Sequence, residues 1–152
     1  MPLQLGTDAP DFALKDQNER VFHAAECKGK RVLLSFHPLA WTKVCADQMK
    51  SLEDNQDKFA ELNTIAVGIN VDSHFSKKAW ADSLGITRTR LLADFWPHGG
   101  VASQYGLFIE KAGISNRANV IVDENGDVVF VRVYDIPQLP DISEILKFIE
   151  NM

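Results

Sequence analysis

The chain has 152 residues, 45% of them hydrophobic and 24% charged, which suits one domain whose core needs no disulfide or metal staple. Its formal net charge of -5 and the lack of any Lys/Arg cluster argue against a nucleic-acid binder, and the doublet Lys77-Lys78 reads as a solvated helix face. No stretch approaches the ~20 apolar residues of a membrane span. The start, Met1-Pro2-Leu3-Gln4-Leu5-Gly6, has neither the basic end nor the apolar run expected of a signal peptide. With two cysteines and no export signal, a reducing cytoplasm is the expected compartment and a permanent disulfide is not expected.

Residues 1–30 predict an irregular or hairpin-like lead-in, with Phe12, Leu14, Val21 and Phe22 around the polar turn Lys15-Asp16-Gln17-Asn18-Glu19-Arg20. The run 31–36 is short, apolar and bounded by Gly29 and Pro38, which predicts a buried strand. Residues 45–62 predict a helix that aligns Cys45, Met49, Leu52, Gln56 and Phe59 on one face. Residues 64–70, rich in β-branched side chains, predict a second strand, and the resulting βαβ unit should have parallel strands. Ser73 can cap a helix that runs to about Leu84, stops at Gly85 and buries Phe75, Ala79, Trp80 and Leu84. A short strand at 90–93, a loop at 94–100 and a short helix at 101–105 follow, ended by Gly106. Residues 118–123 and 128–134 predict strands joined by Glu124-Asn125-Gly126-Asp127, whose Asn-Gly pair is a hairpin signal. Pro137 and Pro140 break the chain. Asp141 then opens the last helix, with Glu144 as the partner in a capping box and Ile142, Ile145, Leu146 and Ile149 as the apolar face.

The order β-α-β, then α, then a β-hairpin, then α is the thioredoxin-like arrangement. It predicts an α/β fold with a central mixed sheet flanked by helices, an N-terminal extension, and an insertion near residues 85–115. In open α/β sheets chemistry gathers where strands end and helices begin. Segment 37–44 is such a junction, and Cys45 follows it as the helix opens. The N–H groups of a first helical turn lack intrahelical partners, and with the helix dipole they favour negative charge on sulfur. Placement alone leaves two readings of Cys45, a reactive thiolate or a small buried hydrophobe.

The pattern Pro38-x-x-x-Thr42-x-x-Cys45 resembles the active-site motif of the peroxiredoxins, the AhpC/TSA family. Three further stretches carry the same resemblance. Gly6-Thr7-Asp8-Ala9-Pro10-Asp11-Phe12 is similar to the family's N-terminal signature. Asn116-Arg117-Ala118-Asn119-Val120-Ile121-Val122-Asp123 is similar to its Arg-bearing strand. Asp94-Phe95-Trp96-Pro97-His98-Gly99 resembles a loop of its AhpE-like, one-Cys branch. The resemblance implies a thiol-dependent peroxidase for hydrogen peroxide and organic hydroperoxides. Cys45 would attack one peroxide oxygen and become a sulfenic acid. Thr42 would aim its hydroxyl at the thiolate and the bound peroxide, Pro38 would shield the sulfur from water, and Arg117 would hold the thiolate and stabilise the departing oxygen. These roles require Arg117 to reach the sulfur and a peroxide to find an opening to it. Plainer readings stand beside each role: Thr42 as a helix cap, Pro38 as a strand terminator, Arg117 as a surface ion pair, and Phe95 and Trp96 as packing or interface residues.

Three positions depart from the family. Gln48 stands where an acidic residue is usual and would brace Arg117 only by hydrogen bonding. His37 replaces a Tyr or Phe, and reads either as a packed ring or as a group that titrates near neutrality. Lys50 occupies the position of one type of resolving cysteine, and no cysteine follows Cys45. Cys27 is then a bystander thiol, or a resolving thiol that pairs with Cys45 after local unfolding or across a dimer. The resemblance thus implies a one-Cys cycle with an external thiol reductant (thioredoxin, glutaredoxin or a low-molecular-weight thiol) in a homodimer or higher homo-oligomer. No cofactor is implied, and two cysteines with scattered histidines show no metal-ligand spacing. Two other functions stay open on the sequence: a thiol–disulfide oxidoreductase, although Thr42 replaces the first cysteine of a C-x-x-C motif, and a non-catalytic chaperone or scaffold.

Overall fold

The strand Arg31–Phe36 (β3) is the spine of the molecule, whose computed structural model describes residues 1–152. It pairs parallel with Thr64–Asn70 (β4), which pairs parallel with Arg90–Ala93 (β5). On its other side β3 runs antiparallel to Arg117–Val122 (β8), which pairs antiparallel with Val128–Tyr134 (β9). The sheet order is therefore β5-β4-β3-β8-β9, the mixed thioredoxin-like sheet expected. Two small hairpins lie outside it: Ala13–Lys15 (β1) with Val21–His23 (β2), and Phe108–Ile109 (β6) with Ile114–Ser115 (β7). Five α-helices complete the fold: Lys43–Asp54 (α1), Gln56–Glu61 (α2), His74–Leu84 (α3), Gly100–Gln104 (α4) and Ile142–Glu150 (α5). None is long and apolar enough to cross a membrane.

Successive strand side chains point to opposite faces, so β3 divides the interior into two cores. Val32, Leu34 and Phe36 pack on one side with Phe12, Phe22 and Tyr105. Leu33 faces the other side, with Cys45, Met49, Leu52 and Phe59 from α1 and α2, Trp80 from α3, and Ile145 and Ile149 from α5. Cys27 packs against the first core and Cys45 lies in the second, so the sheet stands between the two thiols.

Where sequence and structure differ, local chemistry explains it. The single helix expected over 45–62 breaks at Asn55, whose side chain donates to Ser51 O at 2.8 Å and competes with helical backbone bonding. The apolar stripe survives the break, and the Gln56 amide instead reaches Ala66 O and Thr89 Oγ1. Ser73 caps α3 and Gly85 stops it in the left-handed region, as expected. Its buried face, however, is Lys77, Trp80 and Ala81, while Phe75 and Ala79 are exposed. Lys77 has no exposed surface at all, which overturns the solvated-face reading for that residue; Lys78 alone lies on the surface, paired with Asp82. Asp141 caps α5 by accepting from Ser143 N, but Glu144 does not close a capping box. It pairs with Arg132 of β9, because a guanidinium is a stronger partner for a carboxylate than one backbone N–H.

Glu53 ties α1 to the turn before β5. Its carboxylate accepts from the backbone N–H groups of Thr87, Arg88 and Thr89 and from both threonine hydroxyls. Burial alone would raise its pKa, but these hydrogen bonds outweigh burial and hold the carboxyl below its ordinary value. A lowered folded-state value means that its stabilisation is complete above the unfolded carboxylate pKa of about 4.3 and fades as the pH falls through the folded value. Replacing Glu53 with Gln should cost roughly 1–3 kcal/mol at neutral pH. Denaturant midpoints of wild type and variant, measured down a pH series, should converge in acid.

Candidate active site

Four chain segments build the site around Cys45. The helix α1 starts at Lys43 with Thr42 as its extended N-cap residue, which puts Cys45 third in the helix rather than first. The first intrahelical bond runs from Ala46 N to Thr42 O, so the N–H groups of Lys43, Val44 and Cys45 have no helical partner and leave the positive end of the dipole beside the sulfur. The loop that delivers Cys45 is pinned from α3. Asp72 accepts from Ala40 N at 2.7 Å, and Trp41 Nε1 donates to Ser76 Oγ at 2.9 Å while the Trp41 backbone turns through the left-handed region.

Arg117 opens β8, one residue before the strand start expected from the sequence, and is buried. Its Nη1 donates to Cys45 Sγ at 3.4 Å and to Gln48 Oε1 at 2.8 Å, and its Nε donates to Ile136 O at 2.8 Å. The guanidinium is thus fixed at two carbonyl oxygens and presents its remaining reach to sulfur. Gln48, one helical turn after Cys45 on α1, also donates through Nε2 to Ser35 Oγ at 2.7 Å and to Phe36 O at 3.1 Å. Flipping its amide would set NH₂ against the guanidinium, so the arrangement is determined. The same geometry gives a physical reason for an amide here. A carboxylate would face the Phe36 carbonyl with no proton to share. Changing Gln48 to Glu should therefore cost roughly 1–3 kcal/mol in thermal or denaturant unfolding, despite the added attraction to Arg117.

Pro38 is buried at the end of β3 beside His37. Thr42 is exposed, and its Oγ1 donates to Leu39 O at 2.9 Å. It neither caps α1 nor reaches the sulfur in this conformation, so the expected aim at Sγ requires its side chain to rotate. Cys45 itself has no exposed surface. The structure brings the guanidinium to the sulfur but closes the opening that a peroxide needs, through the packing of segment 37–44.

His37 is also fully buried, its ring packed at a tilt against Trp80 with centroids 5.6 Å apart, and with Nδ1 3.3 Å from Ser35 O. Gly68 makes room for this layer: a Cβ there would overlap Met49 Sδ and press on the His37 ring. Burial, then the nearby Lys77, drives the His37 pKa well below its ordinary value, so the ring is a packed neutral group at pH 7 and not a near-neutral titrating base. Cys27 is brought nowhere near this constellation. It lies across the sheet, and burial pushes its thiol pKa up. Phe95 and Trp96 are exposed. Sequence pattern did not single out Asp72, Ser35 or Lys77 for this site; of these, Lys77 carried a usable signal, since it stands one turn before Trp80 and Ala81 on a helix.

Fold and site together define a thiol-dependent peroxidase of the thioredoxin-like class, with one cysteine under an arginine and no C-x-x-C partner. A model of the AhpC/TSA family matches residues 5–131, and the chain belongs to that family. It is 41% identical over 132 residues to alkyl hydroperoxide reductase E of Mycobacterium tuberculosis, covering 86% of each chain. It is 30% identical over 156 residues to peroxiredoxin-1 of Gekko japonicus, covering 96% of this chain and 77% of that one. The reduced 2-Cys peroxiredoxin of Plasmodium vivax superimposes with a TM-score of 0.90 at 28% identity, over 98% of this chain and 81% of that one.

Proposed function

We propose that the chain reduces hydrogen peroxide and small organic hydroperoxides in a one-Cys cycle centred on Cys45. The observation that carries this is the Arg117 guanidinium 3.4 Å from Sγ at the positive end of α1. The thiolate attacks one peroxide oxygen, an S–O bond forms and the O–O bond breaks. The electron pair leaves on the other oxygen, which takes up a proton from solvent and departs as water or an alcohol, while the transferred oxygen keeps its hydrogen as the sulfenic acid. Arg117 and the free N–H groups of the first turn stabilise the charge that develops there. Thr42, once its hydroxyl turns inward, positions the peroxide, and Pro38 keeps water from the sulfur. An external thiol then attacks the sulfenic acid and releases water, and a second thiol displaces the mixed disulfide. The separation of Cys27 from Cys45 by the sheet supports the external route.

The reading includes a reducing compartment, the cytoplasm, supported by two free thiols, and assembly at least to a homodimer, supported by the exposed side chains of Trp41, Phe75, Phe95 and Trp96. Mass spectrometry of the reduced protein after one equivalent of peroxide tests the chemistry. One added oxygen at Cys45 with Cys27 still free is the expected result. A Cys27–Cys45 disulfide would overturn the one-Cys cycle, and an unmodified chain would overturn the peroxidase reading.

A further inference from the structure

Lys77 is buried without a partner. Its side chain has no exposed surface, and Nζ makes no hydrogen bond or ion pair. An unpaired buried ammonium is among the costliest groups a fold can carry, and a lysine one residue along, Lys78, escapes that cost on the surface. Near it, His37 Nε2 is also buried and unpaired. The His37 ring bonds Ser35 O through Nδ1, which leaves Nε2 as a lone pair with no donor, while Lys77 is a donor with no acceptor. Both belong to the layer that backs the reactive sulfur. Lys77, Trp80 and Ala81 are the inward face of α3, Trp80 packs against His37, and Trp80 and Ala81 share a core with Cys45.

The charges around Lys77 are few. Asp72 from the turn before α3, Cys45 from α1 and Asp94 from the end of β5 each favour its charged form, and none is in ion-pair contact with it. His37 faces it from the end of β3 and is neutral, and Arg117 lies beyond His37 on β8. Asp94 is engaged by the backbone N–H groups of Val101 and Ala102, and Asp72 by Ala40 N and Asn70 Nδ2. Asp72 and Asp94 thus each accept two hydrogen bonds, whereas the sulfur accepts one, from Arg117 Nη1. Arg117 comes from β8, which pairs with β3 in the sheet, whereas Lys77 comes from α3, the helix whose Trp80 and Ala81 pack in the same core as Cys45.

We propose that Lys77 is a positioning residue for Cys45, whose buried ammonium on the inward face of α3 supplies a second positive charge to the sulfur besides Arg117. This deepens the peroxidase reading and rests on it for its consequence in turnover. The ammonium holds the thiolate ground state and the leaving oxygen's charge by its field, and it touches neither. Burial draws the Lys77 pKa down to about 7, so the charge disappears as the pH rises through neutrality.

The test compares wild type, Lys77→Met, which keeps the length of the side chain and removes the charge, and Lys78→Met as a surface control. Each is followed by the fluorescence change on stoichiometric peroxide addition and by the rate of Cys45 alkylation with iodoacetamide across a pH series. Lys77→Met should slow oxidation and alkylation at pH 6, where the ammonium is charged, on the order of tenfold, as expected for losing one unit charge in a buried site, while melting at or above the wild-type temperature. In wild type the oxidation rate should fall as the pH rises past neutrality, and Lys77→Met should lack that limb. Lys78→Met should match wild type throughout. Wild-type rates and an unchanged pH profile in folded Lys77→Met would overturn the proposal. Should Lys77→Met fail to fold, the wild-type profile decides: a falling limb supports the proposal and a flat one overturns it. If wild type does not react with peroxide at all, the peroxidase reading falls, and the alkylation rates alone then show whether Lys77 charges the sulfur.

Discussion

Cys45→Ser should lower peroxide consumption to the rate of buffer alone. The variant is close to isosteric, and its hydroxyl would sit where Arg117 Nη1 already donates, so the buried site keeps a partner for the guanidinium. The fold should therefore persist, with an unfolding transition near that of wild type. What is lost is the nucleophile: a thiolate is held by a nearby cation and helix N-terminus, whereas a serine hydroxyl is not ionised by them and has no adjacent base. His37 cannot serve as that base, since burial holds its pKa well below the ordinary value and its free Nε2 makes no hydrogen bond to position 45. Peroxide consumption coupled to a thiol reductant is the measurement. Turnover at the wild-type rate in this variant would mean that the reacting group lies elsewhere.

Arg117→Ala should slow sulfenate formation on the order of 10²–10³-fold, the usual loss when a preorganised charge-stabilising donor is removed from a site shielded from water. It should also leave the buried Gln48 Oε1 without its Arg117 donor, which adds a stability loss of roughly 1–3 kcal/mol, while the exposed residue Ile136 can offer its carbonyl to water. The two effects separate in experiment. Pre-steady-state oxidation followed under conditions where circular dichroism reports a folded chain reads the chemical loss, and denaturant titration reads the structural one. Arg117→Lys keeps the charge but cannot span Sγ, Gln48 Oε1 and Ile136 O together, because an ammonium lacks the planar fork. It should recover part of the rate and little of the stability. Equal rates in Arg117→Ala and wild type would remove the guanidinium from the reaction.

Much of this site is legible in the amino-acid sequence. An apolar run, a proline and a cysteine mark the β3–α1 junction, and the strand pairing follows from a βαβ pattern that admits one parallel solution. Arg117 stands out because it precedes an apolar strand within a stretch that resembles the family's Arg-bearing strand, and the pairing of that strand with β3 brings it to the site. Other features are hidden for physical reasons. Hydrophobic periodicity sorts residues by type, so a lysine with no polar partner is assigned outward, although the apolar pair Trp80 and Ala81 fixes the inward face of α3 at the turn that contains Lys77. The Thr42 hydroxyl can be placed near the helix start, but its choice between Leu39 O, a cap and the sulfur is a rotamer decision that no spacing encodes. Gln48 has the look of a weakened acid by residue type alone; its donation to Phe36 O is a tertiary contact that shows why an amide is needed. The burial of Cys45 depends on how segment 37–44 folds over it, which turns on Trp41 adopting a left-handed backbone and on Asp72 catching Ala40 N.

That lidded sulfur sets an order of events. A peroxide is scarcely larger than the water the packing excludes, so a brief loosening of a few atoms admits it. A reducing thiol must bring its own sulfur in line with Sγ, which has no exposed surface while Asp72 and Ser76 fasten the loop. Oxidation and regeneration thus ask for motions of different size from one segment, and the fastenings at Asp72, before α3, and Ser76, on α3, govern the tempo of the larger one. Whatever slackens them hastens repair of the sulfenic acid and in the same stroke bares it to a second peroxide and to irreversible damage.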